Sequence, residues 1–351
     1  MIIEPDDERL QYCGRIDFED AKAPEFVYPC SSIEVAVSGN SVRVIVSNRN
    51  AYWENALGYI IDGKQGKVVL PDTDEKVILT LAEDMEDILH QVMLFKRQDS
   101  CHTFRFYGFV AEDGARVEKA APLPERKIEV YGDSVSAGEV SEAVRCTGKE
   151  DPVHNGEYSN SYYSYAWMTA RKLNAQIHDI AQGGIALLNK TGWFMEPDQI
   201  GMEEIYDKIR YLPQLGRPRL WDFSGYKAHV VIVAIGQNDS HPWDYMAENY
   251  EGEESRYWRM KYGEFIRKLR AMHPHAAIIL TTTILNHHRN WDLAIGEVCR
   301  KLQEDDKKIY HFLYNKNGCG TPGHIRIPEA ENMSLELAEF IDGLGEEIWQ
   351  D

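Results

Sequence analysis

Four short segments of this chain carry residue types suited to acyl transfer. Tyr131-Gly132-Asp133-Ser134 offers a serine hydroxyl, and Ala181-Gln182-Gly183-Gly184 offers a glycine turn. Gly236-Gln237-Asn238-Asp239-Ser240-His241 offers an asparagine, and Gly320-Thr321-Pro322-Gly323-His324 a histidine. A serine hydroxyl is a weak nucleophile until a neighbouring base takes its proton. An imidazole titrates near neutrality, so His324 can take that proton and return it to a leaving alkoxide. The tetrahedral intermediate places negative charge on one oxygen. The Ser134 amide, an amide at Gly183 and the Asn238 side chain would donate to it, and losing one such donor typically costs about 3 kcal/mol. Gly183 is preferred to Gly184, and the Gln182 amide stays open if the turn aligns one residue off. Gly-Asp-Ser alone is a common turn; the four segments in this order are specific.

These segments must sit at the ends of ordered elements. After about residue 125 the apolar runs 128–131, 177–180, 230–235 and 276–280, with a weaker one at 309–313, read as strands. Helix-period stretches lie at roughly 160–174, 201–214, 254–272, 292–305 and 329–348. Alternation of this kind predicts an α/β fold: a parallel sheet covered on both faces, a three-layer α/β/α domain. Ligands then bind beyond the carboxyl ends of the strands, where the four segments fall. Residues before the Ala121-Pro122-Leu123-Pro124 connector differ. Ser32–Val37 and Ser41–Val46 alternate polar and apolar, and Ser38-Gly39-Asn40 suits a hairpin turn between them. Short strand-like runs continue at 59–61, 67–70, 75–79 and 102–106, the rhythm of an all-β sandwich or jelly roll. The expected division is 1–122 for the β-domain and 123–351 for the α/β domain.

Gly132-Asp133-Ser134, Gly236-Gln237-Asn238-Asp239 and a histidine near the carboxyl end resemble the SGNH (GDSL-type) hydrolases. The β-rich first half, Asn238-Asp239-Ser240-His241 and the stretch from Gly323-His324-Ile325-Arg326 to Glu331 resemble, more narrowly, carbohydrate esterase family 2. The resemblance spans nearly the whole chain, and its specific motifs occupy four short segments. Members of that family are acetyl esterases with a jelly-roll domain ahead of the hydrolase domain. The resemblance therefore implies removal of acetyl groups from xylo-oligosaccharides or related sugars, without a cofactor. It carries the nucleophile to Ser134, the oxyanion asparagine to Asn238 and the base to His324. One position departs. Many SGNH enzymes hold an aspartate three residues before the histidine, and here that residue is Thr321. Either another carboxylate, such as Asp239 or Glu329, orients His324, or a backbone carbonyl does and the site is a Ser–His dyad. Dyads occur in the family, and a dyad is the expectation.

Around this centre, Trp243, Trp291 and His241 are candidate substrate contacts, because rings beside a hydrolase site stack on sugar faces as often as they fill the core. His241, His287, His288 and Asp292 lack HxH or HExxH spacing, so no metal is expected. The chain has 351 residues and a formal charge of −19, which argues against nucleic acid or an anionic membrane as partner. No run approaches the roughly 18 apolar residues of a membrane span. The acidic start, Met1-Ile2-Ile3-Glu4-Pro5-Asp6-Asp7, is unlike a secretory signal, and six scattered cysteines suit a reducing compartment, so the cytoplasm is expected. The partner is then an acetylated oligosaccharide, and a homo-oligomer stays open. Two other readings also remain: the same chemistry on a lipid ester or thioester, and a carbohydrate-binding protein whose hydrolase half is inactive.

Overall fold

The computed structural model describes residues 1–350. Its first part is a pair of antiparallel sheets sharing one apolar core. The main strands are β1 (Ser32–Gly39), β2 (Val42–Asn48), β3 (Ala56–Ile61), β4 (Lys64–Val69), β5 (Thr73–Ala82), β6 (Ile88–Lys96) and β7 (Phe104–Val110). One sheet runs β1-β6-β3-β4 and the other β7-β2-β5, with short strands at their edges. The expected β1–β2 hairpin does not form. β1 pairs with β6 while β2 pairs with β7 and β5, so Gly39 (φ 130°) turns the chain from one sheet into the other. The reason lies in the alternation itself. Ile33, Val35 and Val37 of β1 and Val42, Val44 and Val46 of β2 are all buried in the same core. An arch between facing sheets packs the two rows against each other.

The second part holds a parallel sheet of β8 (Arg126–Gly132), β9 (Ala175–Ala181), β10 (Val230–Ala234), β11 (Ala277–Thr281) and β12 (Ile309–His311). Its order is β9-β8-β10-β11-β12, so the order reverses at β8. That is a doubly wound sheet with its ligand crevice at the carboxyl ends of β8 and its neighbours. Five helices matter here: α1 (Ser134–Ala137), α2 (Tyr165–Lys172), α3 (Glu253–Met272), α4 (Asn290–Leu302) and α5 (Ile327–Asp342). Trp258 and Phe265 of α3 and Ala294 and Ile295 of α4 pack on one face; Tyr165 and Ala166 of α2 and Met333 and Leu337 of α5 pack on the other. The three layers are as expected. The helix expected over 201–214 is not. Only Met202–Ile205 is helical; Lys208–Arg210 is a strand paired with Arg219–Leu220, and Arg210 Nη2 donates to Asp17 of the first part at 2.8 Å. Pro213, which cannot sit in a helix interior without removing a hydrogen bond, begins a separate turn there.

The two parts are joined by a buried polar contact. Arg15, from the first part, donates to Glu129 Oε1 of β8 at 3.0 Å, to the Tyr131 hydroxyl at 2.9 Å and to the Tyr206 carbonyl at 2.7 Å. His273 lies 2.8 Å from the same Glu129 oxygen. Among the described residues no helix is long and apolar enough to cross a membrane.

Candidate active site

The carboxyl end of β8 delivers Ser134 as the first residue of α1. Asp133 is its N-cap: Oδ1 accepts from the Val135 amide at 3.0 Å, satisfying one of the free donors of the first turn. The other oxygen accepts from Gln237 Nε2 at 2.6 Å and Asn238 Nδ2 at 3.2 Å, which ties the Ser134 turn to the turn after β10. Burial pushes the Asp133 carboxyl up to about 6, against those donors. Asn238 Nδ2 also donates to the Ile185 carbonyl at 3.0 Å. Asp239, which could have oriented His324, is spent elsewhere: it accepts from the Leu187 and Leu188 amides at 2.9 and 3.3 Å.

The glycine turn after β9 is held by the first part of the chain. Asp99 Oδ2 accepts from the Gly183 amide at 2.9 Å and from Gln182 Nε2 at 2.6 Å, while Ser100 Oγ donates to Gln182 Oε1 at 2.9 Å. The Gly183 amide, expected as an oxyanion donor, is therefore already committed. The Gly184 and Ser134 amides carry no such bond among the described residues. Gly184 has φ 71°, a left-handed backbone that favours glycine.

His324 lies in the loop before α5, and its orienting partner is a residue the sequence reading missed. Asp151 Oδ2 is 2.5 Å from His324 Nδ1, and Oδ1 accepts from the His324 amide at 2.8 Å and from Arg326 Nη2 at 2.7 Å. The expected dyad is thus replaced by a His–Asp pair. Glu329 is also excluded as the orienter, because it caps α5 by accepting from the Arg326 amide at 2.9 Å. Burial opposes charge on Asp151, yet His324 and Arg326 hold its carboxyl well below the usual range. Glu139 Oε2 stands 3.4 Å from His324 Nε2. Burial works against the imidazolium, but Asp151 and Glu139 outweigh it and raise the His324 pKa.

Ser134, Gly183, Gly184, Asn238 and His324 line one cleft of about 630 Å³. Tyr52 and Trp53 of the first part form one wall; Trp193, Phe194 and Met195 form another. Trp193 is 58% exposed and lies flat on His241, with ring centroids 3.3 Å apart. His241 therefore braces an aromatic wall and is absent from the cleft lining. Trp243 is exposed outside the lining, edge-on to Tyr245. Trp291 is a correction: at 0% exposure it is core, packed against Trp258 and Tyr245, with Nε1 donating to Asp244. Its place on the first turn of α4, facing α3, dictates burial. Trp193 gave no motif signal, and Asp151 lies in Lys149-Glu150-Asp151-Pro152, one acidic loop among many.

Among the described residues, Asp99, Cys101 and His102 could hold a metal ion, with ligand atoms within 4.8 Å of one another. The cluster is also a hydrogen-bonded junction, since Cys101 donates to the Tyr52 hydroxyl at 3.0 Å and Asp99 holds the glycine turn.

Comparison with known proteins agrees with this architecture. Residues 12–122 match the family described as Carbohydrate esterase 2 N-terminal. Over 338 residues the chain is 28% identical to an acetylxylan esterase / glucomannan deacetylase of Cellvibrio japonicus, covering 95% of this chain and 88% of that protein. It is 33% identical over 358 residues to cellulase/esterase CelE of Acetivibrio thermocellus, covering 97% of this chain and 40% of that longer protein. A solved family two carbohydrate esterase from Clostridium thermocellum, in complex with cellohexaose, superposes with a TM-score of 0.79 at 26% identity, covering 95% of this chain and 98% of that one.

Proposed function

Because this chain belongs to carbohydrate esterase family 2, a group of SGNH-type esterases, we propose that it removes acetyl groups from acetylated xylo-oligosaccharides or related sugars through an acyl-enzyme on Ser134. The observation that carries the mechanism is the His324–Asp151 contact, which engages Nδ1 and leaves Nε2, 3.4 Å from Glu139 Oε2, as the other ring nitrogen of a cleft-lining histidine. Asp151 keeps the proton on Nδ1, so Nε2 is the basic atom that takes the Ser134 proton. Ser134 Oγ attacks the acetyl carbonyl, and charge develops on the carbonyl oxygen. The Ser134 and Gly184 amides, with the Asn238 side chain, are the donors we assign to it. Gly184 replaces Gly183 in that role because the Gly183 amide already serves Asp99. An incoming oxyanion would draw the Asn238 amide from its longer contact, that with Asp133. His324 then protonates the departing sugar oxygen, and water repeats the sequence on the acetyl-enzyme to release acetate.

The sugar enters between aromatic walls. Trp193 and Trp53 line the cleft from the two parts of the chain, and aromatic rings give a pyranose a large apolar contact at low entropic cost. The paired sheets support reading the first domain as a jelly roll, residues 1–122, whose role is to wall the cleft and to hold the glycine turn through Asp99; the hydrolase domain is then 123–351. The test is acetate release from acetylated xylo-, manno- and gluco-oligosaccharides, with Ser134→Ala beside the parent. Release by the parent and not by the variant is expected. Undiminished release by Ser134→Ala, or octanoyl esters turned over faster than acetyl ones, would overturn the reading.

A further inference from the structure

Another carboxylate of the cleft lining has no part in the chemistry derived above. Glu139 is fixed to the nucleophile turn by its own backbone, its amide donating to the Ser134 carbonyl at 3.0 Å. Its side chain is almost fully buried yet lines the cleft. Oε2 is 3.4 Å from His324 Nε2 and 3.8 Å from His154 Nε2. Oε1 points across the glycine turn, within 2.4 Å of where a Cβ on Gly183 would sit, so only glycine leaves room for it there. Asp99, which presses on the same point from the other side, has its oxygen filled by Gln182 and Gly183. The Glu139 carboxylate is placed differently: it contacts the two histidines, at 3.4 and 3.8 Å.

Where this acceptor stands matters. His324 Nε2 must reach the oxygen of the departing sugar in order to protonate it. The leaving oxygen is therefore held beside Nε2, and the hydroxyls on the neighbouring ring carbons of a pyranose lie about one hydrogen-bond length from it. A carboxylate next to Nε2 meets those hydroxyls. Resting on the esterase reading above, we propose that Glu139 is a specificity-determining residue that accepts a hydrogen bond from a free sugar hydroxyl adjacent to the acetylated position. The geometry favours this over a fixed structural role, because the residue is held by the nucleophile turn, lines the cleft and sets Oε2 beside the His324 imidazole. Its neighbours agree: burial and the nearby Asp99 charge raise the Glu139 pKa against the hydrogen bond from His324, so a further donor would favour its charged form. A hydrogen bond from a hydroxyl to such a group is charge-assisted and discriminates strongly against a substrate that lacks it.

The experiment is a cycle on the full chain. A monoacetylated pyranoside with a free neighbouring hydroxyl is compared with its deoxy counterpart, on the parent and on Glu139→Gln, by kcat/KM for acetate release. In the parent, removing the hydroxyl should cost on the order of 10²-fold. In Glu139→Gln that penalty should shrink to within a few-fold, because the two changes delete one interaction and do not add. A deoxy penalty of equal size in both proteins overturns the proposal, and so does the absence of any penalty in the parent, a result that needs no variant. If Glu139 acted only through the charge on His324, the variant would shift the pH profile equally for both substrates and leave the penalty intact, which also overturns it. Turnover of 4-nitrophenyl acetate, sensitive to Ser134→Ala, is followed in parallel. Its persistence in Ser134→Ala counts against the esterase mechanism itself, so the two failures are told apart.

Discussion

His324 concentrates the electrostatics of the site. Asp151 faces Nδ1 and Glu139 faces Nε2, with Arg326 bound to Asp151 and His154 stacked on the imidazole at 5.3 Å between centroids. The carboxylates win over burial and raise the histidine pKa. A general base works only when neutral, so under the proposed mechanism a raised His324 pKa moves the acid limb of activity upward. kcat/KM should climb through a value above the ordinary 6.5 of histidine and reach its plateau on the alkaline side. Asp151→Asn removes one of the charges that hold the proton. Its acid limb should move to lower pH while its plateau falls by at least on the order of 10²-fold, because the imidazole loses its orienting partner. A pH–rate profile of parent and variant reads both effects, and an unchanged limb would separate Asp151 from the base.

Two tryptophans contrast how elements assign roles. Trp291 lies on the buried face of α4 between Trp258 and Tyr245, and Trp193 lies on a loop with its ring on His241. Trp291→Ala should lower stability by about 3–5 kcal/mol, measured by denaturant unfolding, since it empties a packed volume. Trp193→Ala should stay within about 0.5 kcal/mol of the parent in the same measurement while raising KM for oligosaccharide esters. Both are tryptophans outside any motif, and no local pattern separates them. The β1–β2 connection teaches the same lesson. Alternation announces two strands and their inward faces, but Gly39 could serve a hairpin or an arch, and only the partners β6, β7 and β5 decide which.

At the level of the assembled chain, Arg15 and Glu129 make the two domains one energetic unit. Both side chains are fully buried, and breaking such a pair by removing one member strands the other charge. Arg15→Met should cost about 3–5 kcal/mol by denaturant unfolding, although a methionine fills similar space. The same pair gives stability a pH dependence. Burial opposes the Glu129 charge, but Arg15 and His273 hold its carboxyl well below the ordinary 4.5. A depressed folded value means that the unfolded chain binds the proton more tightly. The stabilisation is therefore complete above the unfolded value and is lost as pH falls toward and through the folded one. Glu129→Gln should start less stable at neutral pH and lose less stability below about pH 4.5 than the parent.

The strands, the α/β layers and the serine, asparagine and histidine segments were legible locally, because each rests on a short periodicity or on a residue type at a strand end. Parallel strands with both faces covered are mostly apolar, and the candidate site residues follow them directly; both patterns act within a few positions. What holds His324 was not legible. Asp151 comes from a separate loop, and only tertiary packing brings its carboxylate to Nδ1. The Asp99 contact that occupies the Gly183 amide was equally hidden, because it joins residues 84 positions apart across the domain junction. Sheet membership, wall versus core, and the choice of acid all depend on which surfaces meet. A hydrogen bond selects its partner by position in space, and distance along the chain carries no record of that.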